Sequence, residues 1–220
     1  MTPIGEYFLE ALPLLLDGLI FTLIIFAVVV AIGFPLSIIV ASLKTIGPKW
    51  LRRVLGVYTW IFRGTPLLLQ LVLVYYALPT IGVVLSDNLV ILIVYVLSVT
   101  AYESEVIRGG MAGIENGQYE AAKALGMSRV QIMRRIIAPQ AVRKVLPTTC
   151  SEAIILIKDT TLISAVGEFD LLRHATSLVT SDFRIDAYVI ALILYLIIAS
   201  ILTLIFSKLE KRYPASILRK

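Results

Sequence analysis

One carboxylate stands out because it lies where a charge is costly. Glu152 is the only charged residue between Lys144 and Lys158, in a stretch that is otherwise mostly apolar. A short Glu side chain cannot reach a distant aqueous layer as Lys does. Two interpretations remain open. Glu152 either forms an internal ion pair or hydrogen bond, or it faces a cavity and binds a positive group on a substrate.

Polar side chains also recur at helical spacing around this carboxylate. Thr148, Ser151/Glu152 and Ile155 follow the i, i+3/i+4, i+7 pattern of one helical face. A second polar face is formed by Tyr95, Ser98, Tyr102 and Glu105. Stripes of this kind in apolar helices are typical of a water-filled path or a subunit interface. The candidate substrate-contacting residues are Glu152, Ser151, Thr148, Gln70, Ser98 and Tyr102.

Enzymatic and metal-binding patterns are missing from the sequence. His174 and Cys150 are each the single member of their class, which disfavours a histidine-rich metal site and most catalytic triads. No G-x-x-x-x-G-K-[S/T] phosphate loop occurs, so we expect no ATP site and no cofactor of the chain's own. A single cysteine permits no intrachain disulfide. We therefore predict a protein that is not itself an enzyme and holds no metal.

The elements that carry these residues are predicted to cross a membrane. Mean hydropathy is +0.92 and only 16% of residues are charged, below the usual fraction for a soluble surface. Uncharged runs of 26, 23 and 21 residues separate Asp17 from Lys44, Arg63 from Asp87, and Asp186 from Lys208. About 20 helical residues cross a bilayer. The N-terminal stretch lacks the basic residues of a signal peptide, so we expect the first span to be retained.

Five transmembrane helices are predicted in an all-α integral membrane protein. The spans are Gly18–Leu43, Gly64–Leu85, Asn88–Tyr102 (which can extend through Val106), Val145–Ile157 and Ala187–Ser207. The segment Thr160–Val166 is too short to span and is predicted to be re-entrant or interfacial.

The charge distribution predicts the orientation. Of 20 Lys and Arg residues, four lie in Lys44–Arg53, seven in Arg108–Lys144 and five in Lys208–Lys220. The positive-inside rule places these segments in the cytoplasm and the N-terminus outside. An odd number of spans follows, which agrees with five.

The cytoplasmic segment between spans 3 and 4 is predicted to contain two helices. Gln118–Leu125 is rich in helix formers, and its Ala121, Ala122 and Ala124 offer a small-residue surface. Gly126 suits a C-terminal cap, and Ser128 with Gln131 resembles a capping box that starts a second helix at Arg129. Pro139 and Pro147 can each kink or end a helix. From the residues alone, the segment either anchors to lipid headgroups or docks in a groove on a partner.

The motifs of this segment resemble those of a known family. Glu120-Ala121-Ala122, Gly126 and Leu146-Pro147 are similar to the EAA loop of ATP-binding-cassette importer permeases, here about residues 109–144. Further motifs are similar to the polar amino acid uptake subfamily: Phe62-Arg63-Gly64-Thr65-Pro66-Leu67, Gln70, Ala101-Tyr102 with Glu105 and Arg108, Gly117-Gln118, and Lys158-Asp159-Thr160. The resemblance extends over nearly the whole chain, residues 1–220, as a single transmembrane permease domain.

The resemblance implies a transmembrane subunit of an ATP-driven amino acid importer in the prokaryotic plasma (inner) membrane. Coupling to the ATPase is implied for Gln118, Glu120, Ala121, Ala122, Leu125 and Gly126. The implied partners are two nucleotide-binding ATPase subunits that bind ATP, a second permease subunit (identical or homologous), an external solute-binding protein and membrane lipids, without nucleic acid. An acid at Glu152 resembles permeases for basic amino acids, which favours arginine, lysine or histidine, with neutral polar substrates such as glutamine still open. A secondary transporter or channel without an ATPase is the alternative, and a non-transporting membrane scaffold is a third.

Overall fold

The structure, a computed structural model, describes residues 4–214 and is helical throughout that range, with no β-strand. Nine α-helices follow one another: α1 Ile4–Ile46, α2 Lys49–Gly64, α3 Leu67–Thr80, α4 Asp87–Ala112, α5 Asn116–Ala124, α6 Arg129–Ile132, α7 Ala138–Asp159, α8 Leu171–Asp182 and α9 Asp186–Arg212. A π-helical turn, Met133–Ile137, precedes α7, and a 3₁₀ segment, Thr160–Val166, follows it. The all-α prediction is confirmed for this range. The last basic residues of the predicted tail, Arg219 and Lys220, lie outside it.

The described chain divides into two compact units. Unit A comprises residues 4–28, 68–94 and 153–205, and unit B comprises 29–67, 95–152 and 206–214. Helices α1, α4, α7 and α9 each contribute residues to both units. The assignment of 1–220 to a single permease domain stays a prediction, and its first three and last six residues lie outside the described range.

Each unit has its own apolar core. In unit A, α8 packs through Leu171 and Ala175 against Leu15 of α1 and Ile190 of α9. A hydrogen bond also joins the start of α1 to the end of α8, because Tyr7 donates to Asp182 at 2.9 Å. In unit B, the core surrounds the segment before α7. It includes Ala41 of α1, Ile107 and Met111 of α4, Ala122 of α5, and Ile132 and Ile137. The segment from α5 to the start of α7 is therefore packed into the core of unit B.

Among the described residues, three helices are long and apolar enough to cross a membrane, α1, α4 and α9, and the bent pair of Lys49–Gly64 and Leu67–Thr80 makes a fourth if it is taken as one span. The three helices contain three of the predicted spans, Gly18–Leu43, Asn88–Tyr102 and Ala187–Ser207. Helix α7 contains the predicted span Val145–Ile157 but does not qualify by length and composition, because charged residues lie near both of its ends. The five-span count and the orientation stay predictions.

The predicted second span, Gly64–Leu85, is wrong in its bounds. Helix α3 covers only 14 residues, Leu67–Thr80, which is about 21 Å of helix and too short for a bilayer. It forms a pair with α2 that is bent by 107° at the intervening Thr65-Pro66. Proline disfavours helical conformation in the residue before it, and Thr65 is indeed extended (φ −124°, ψ 147°). The predicted loop Lys44–Arg53 is likewise almost wholly helical, because α2 begins at Lys49.

Helix α2 is amphipathic. Trp50, Val54, Val57 and Ile61 are exposed and share one face at i, i+4, i+7 and i+11. Thr59, which lies half a turn away around the helix, is buried. Basic side chains at Lys49, Arg52 and Arg53 occupy one flank. An exposed apolar stripe beside a basic flank is typical of a helix that lies in the membrane interface.

The segment from α5 to α7 agrees with its sequence signals. Gly126 has φ +78°, which only glycine adopts without cost, and it ends α5. Ser128 accepts a hydrogen bond from the backbone N–H of Gln131 at 3.3 Å, and the Gln131 side chain accepts from the Ser128 N–H at 2.8 Å. The predicted capping box and the helix start at Arg129 are confirmed. Pro139 directly follows the π-helical turn, with helical backbone on both sides of it, and Pro147 lies inside α7, so neither proline ends the helix.

Candidate functional site

A buried ionic cluster joins three helices of unit B. The Glu105 carboxylate on α4 accepts hydrogen bonds from Lys44 of α1 and, at 2.7 and 2.9 Å, from the Arg108 guanidinium. Lys44 also donates to Thr59 of α2 at 2.6 Å. The side chains of Lys44 and Glu105 are only 11% exposed. Because a charge removed from water is tolerated only when it is compensated, this cluster fixes the relative positions of the three helices.

Two arginines of the family-type motifs, Arg63 and Arg108, are held by internal contacts. Arg108 forms an ion pair with Glu105. Arg63 stacks over the Tyr102 ring at 5.8 Å from its centroid, and the Tyr102 hydroxyl donates to the Arg63 carbonyl at 3.2 Å. Tyr102, a predicted substrate residue, is thus positioned by the end of α2 while its side chain remains exposed.

A second carboxylate is buried in α4 and was missed as a site residue. Glu103 is almost fully buried, and one of its oxygens accepts a hydrogen bond from Thr149 of α7 at 2.9 Å. Its other oxygen has no hydrogen-bond partner among the described residues. Glu152 lies close enough to exert a like-charge interaction on it. The sequence signal was present, since Glu103 lies at the inner end of an apolar run. The partner Thr149, however, comes from a distant helix.

The predicted stripe on α7 is largely open. Thr148 and Ser151 are exposed, Ile155 is exposed, and Glu152 is half-buried. Ser151 donates to the Pro147 carbonyl at 3.0 Å, which uses the hydroxyl but leaves the face accessible. No hydrogen bond or ion pair of Glu152 forms within the part of the chain that the structure describes. The internal ion pair that was one of the two interpretations is therefore not formed among residues 4–214.

The remaining predicted substrate residues are buried rather than open. Ser98 lies in unit B and Gln70 in unit A. Gln70 is not available as a free amide, because it takes part in a further interaction. The structure does bring Glu152 and Ser151 together on α7, as their adjacency requires. Within the described residues, no group of three or more His, Cys, Asp or Glu side chains is arranged to hold a metal ion.

Helix α5 presents a small exposed face and is anchored by the opposite one. Glu120 and Ala121 are exposed, and Leu125, just beyond the helix, is 83% exposed. Ala122 is buried in the unit B core, so the expected surface of three alanines is reduced to Ala121 and Ala124. Gln118 accepts a hydrogen bond from Gln140 of α7 at 2.5 Å. This hydrogen bond links α5 directly to the start of α7.

A polar turn in unit A closes the first turn of α8. Asp170 is fully buried and accepts a hydrogen bond from the Arg173 backbone N–H at 2.9 Å, which caps the helix. Burial raises the pKa of its carboxyl to about 6. The neighbouring Leu171 N–H donates to Thr22 of α1 at 3.3 Å. Burial lowers the pKa of His174 below its ordinary value, and the charge of Asp17 acts against that shift.

Comparison with known proteins agrees with this architecture. Residues 33–213 match the family described as "Binding-protein-dependent transport system inner membrane component". A putative glutamine transport system permease protein GlnP of Rickettsia felis (strain ATCC VR-1525 / URRWXCal2) is 37% identical over 94% of this chain and 97% of its own length. The arginine transport system permease protein ArtQ of Bacillus subtilis (strain 168) is 33% identical over 93% and 94%.

Solved structures give the same result. The crystal structure of an amino acid ABC transporter with histidines superposes with a TM-score of 0.86 at 31% identity, covering 96% of this chain and all of that one. The resemblance to ATP-binding-cassette importer permeases that the EAA-type motifs indicated is confirmed. This chain is a member of the family of binding-protein-dependent transport system inner membrane components.

Proposed function

We propose that the chain is the transmembrane subunit of an ATP-driven amino acid importer and forms half of a translocation path that works by alternating access. The observation that carries this proposal is the family match over residues 33–213 together with relatives whose printed names are glutamine and arginine permeases. In this proposal the protein is a multi-pass protein of a bacterial inner membrane. It has five spans, an external N-terminus and a cytoplasmic C-terminus.

The energy in this proposal comes from partner subunits. Two ATPase subunits bind and hydrolyse ATP, a second permease subunit completes the path, and an external binding protein delivers the substrate. The chain itself is not an enzyme and needs no cofactor. The geometry of α5 supports this arrangement, because Glu120, Ala121 and Leu125 are open to a partner while Gln118 and Ala122 tie the helix to the core. A groove on an ATPase can accept such a slim helix.

The substrate is a polar amino acid, with a cationic side chain favoured. Glu152 supports this choice because it is half-buried, lies on an open polar stripe and has no internal partner among the described side chains. A carboxylate in that state gains most from an ammonium or guanidinium group. Arginine, lysine and histidine are the candidates, and glutamine is the neutral alternative.

Reconstitution in vesicles with the cognate ATPase and binding protein tests the proposal. We expect uptake that requires ATP, and we expect Glu120→Ala to uncouple hydrolysis from uptake while membrane insertion stays normal. Glu115→Ala, an equally exposed acid just outside α5, is the matched control and should leave uptake unchanged. Uptake by the purified chain alone, without an ATPase, would instead favour a secondary transporter or channel.

The substrate assignment has its own test. Glu152→Gln keeps the size and hydrogen-bonding capacity of the side chain but removes the charge. We expect uptake of a cationic amino acid to fall at least tenfold, which is about 1.4 kcal/mol, since removing one partner of a fully buried charge pair costs about 3–5 kcal/mol and a half-buried site retains part of that cost, whereas uptake of glutamine should change little. Unchanged arginine and lysine uptake would remove Glu152 from the substrate path.

A further inference from the structure

A large cavity in unit B has walls that are almost entirely apolar. Its volume is about 790 Å³, within the usual range for ligand sites. It lies between the C-terminal part of α1, the segment that runs from α6 into α7, and the last turns of α9. Ile39 and Leu43 of α1, Val142 of α7 and Leu209 of α9 contribute to these walls. Water gains little from such a space, so an apolar occupant is favoured.

Two guanidinium groups border the same cavity. Arg134 and Arg143 both line it and both are exposed. Neither forms an ion pair with any residue in the described range, and Arg143 lies only over the Tyr213 ring, at 5.9 Å. Glu210, which follows the lining residue Leu209 in α9, is half-buried and is not part of the lining. The positive charge at the cavity is therefore available to an anion.

An occupant must combine an apolar body with an anionic head. Apolar walls contributed by α1 and α9, two helices suited to a bilayer, match an acyl chain. Guanidinium groups match a phosphate because they can donate two parallel hydrogen bonds to it. We propose that this cavity binds an anionic phospholipid, with its phosphate on Arg134 and Arg143 and one acyl chain between α1 and α9. This inference rests on the membrane placement of α1 and α9 in the proposed function.

The binding site includes the π-helical turn and the first part of α7, which follow the proposed coupling helix α5 along the chain. Arg134 belongs to the π-helical turn, and Arg143 lies two residues before the proposed fourth span. Because the phosphate contacts this stretch and the acyl chain contacts α1 and α9, a bound lipid would tie the start of α7 to the ends of these two helices. Charge complementarity favours a lipid over a second copy of this chain, because the chain's acidic residues are few and its net charge is +5.

Native mass spectrometry of the purified full-length chain tests the proposal. The probes are a phosphatidylglycerol and a phosphatidylcholine with identical acyl chains. We expect the wild type to retain the phosphatidylglycerol preferentially. In the double variant Arg134→Gln/Arg143→Gln, the ratio of retained phosphatidylglycerol to retained phosphatidylcholine should fall at least tenfold. Each basic residue near an anionic lipid contributes on the order of fivefold to this ratio.

Two further variants keep the test decisive. Arg129→Gln/Arg135→Gln removes the same number of charges from the same exposed segment but outside the cavity, and it should keep the preference. Leu43→Trp fills the apolar part and should reduce retention of both lipids. Equal loss in both double variants, or none in either, would overturn the proposal. So would a result in which Arg134→Gln/Arg143→Gln loses a co-purifying ATPase while its lipid count is unchanged. Failure of ATP-driven uptake in the wild type would refute the proposed function. It would not change the numbers of lipids bound, which test the lipid site separately.

Discussion

The ionic cluster of Lys44 and Glu105 allows a quantitative prediction. Glu105→Leu leaves Lys44, which is 11% exposed, without its carboxylate. Breaking one partner of a buried pair costs about 3–5 kcal/mol. Lys44 keeps its hydrogen bond to Thr59, so we take the lower end, about 3 kcal/mol. The Tm should fall by about 6–12 °C for a chain of this size.

The double variant separates pairing from the burial of charge. Lys44→Met alone should cost about the same as Glu105→Leu, because it leaves the carboxylate with one cation fewer. The double variant Lys44→Met/Glu105→Leu should lower the free energy of unfolding by clearly less than the two single variants do in sum. It leaves only Arg108 unpaired, and the Arg108 side chain is 45% exposed and can be hydrated. We expect a coupling of about 3 kcal/mol in favour of the pair.

Cys150 supplies the assay. It is the only cysteine of the chain and is buried, so a maleimide dye reports unfolding through its thiol in detergent micelles. Arg52→Met replaces an exposed cation that forms no side-chain hydrogen bond or ion pair in the described structure; it is the control and should shift the Tm by less than about 2 °C. If the stability losses of the two single variants add up to the loss of the double variant, the assignment of a coupled buried pair is refuted.

Three further results should follow. Because the pKa of Asp170 is raised to about 6, the folded state holds its proton more tightly than the unfolded chain, so stability should fall by up to about 3 kcal/mol as pH rises from about 4 to 6. The difference in circular-dichroism melting between wild type and Asp170→Asn isolates this effect from His174, and a difference that does not vary with pH would contradict it. Gly126→Ala should cost about 1–2 kcal/mol in the dye assay because φ is +78° there, and an unchanged Tm would show that the turn relaxes. Glu103→Gln should leave the Tm equal or higher, since it removes a buried charge and keeps a hydrogen-bond acceptor, and a Tm loss above 5 °C would mean that the charge has a partner elsewhere.

The local structure of the segment from α5 to α7 was well predicted because its signals are local. The positive φ at Gly126 and the reciprocal Ser128–Gln131 hydrogen bonds involve residues at most a few positions apart, so their types suffice. Helix α5 begins two residues before the predicted start at Gln118 and ends one before the predicted end. Such differences are ordinary for helix ends.

The long-range contacts were not predictable in the same way. Which cation meets Glu105 depends on how α1 and α2 pack on α4, and its two partners lie 61 and three positions away. The burial of Ala122 similarly depends on the core that surrounds it rather than on its own helix. The bounds of the second span failed for a different reason. Uniform hydropathy across Gly64–Leu85 does not show that the helix starts only after Pro66 and ends at Thr80, where a turn with Gly82 at φ +80° follows.

The amphipathic helix α2 also has a spectroscopic consequence. The chain has two tryptophans, Trp50 and Trp60, and both lie on α2, where they are 66% and 76% exposed. All tryptophan emission of the protein therefore comes from this one helix. In vesicles with bromine atoms at known depths along the acyl chains, the quenching of that emission measures how deep α2 lies, with no label or substitution in the protein. Indole rings favour the headgroup region of a bilayer, so quenching should be strongest for bromines nearest the glycerol backbone.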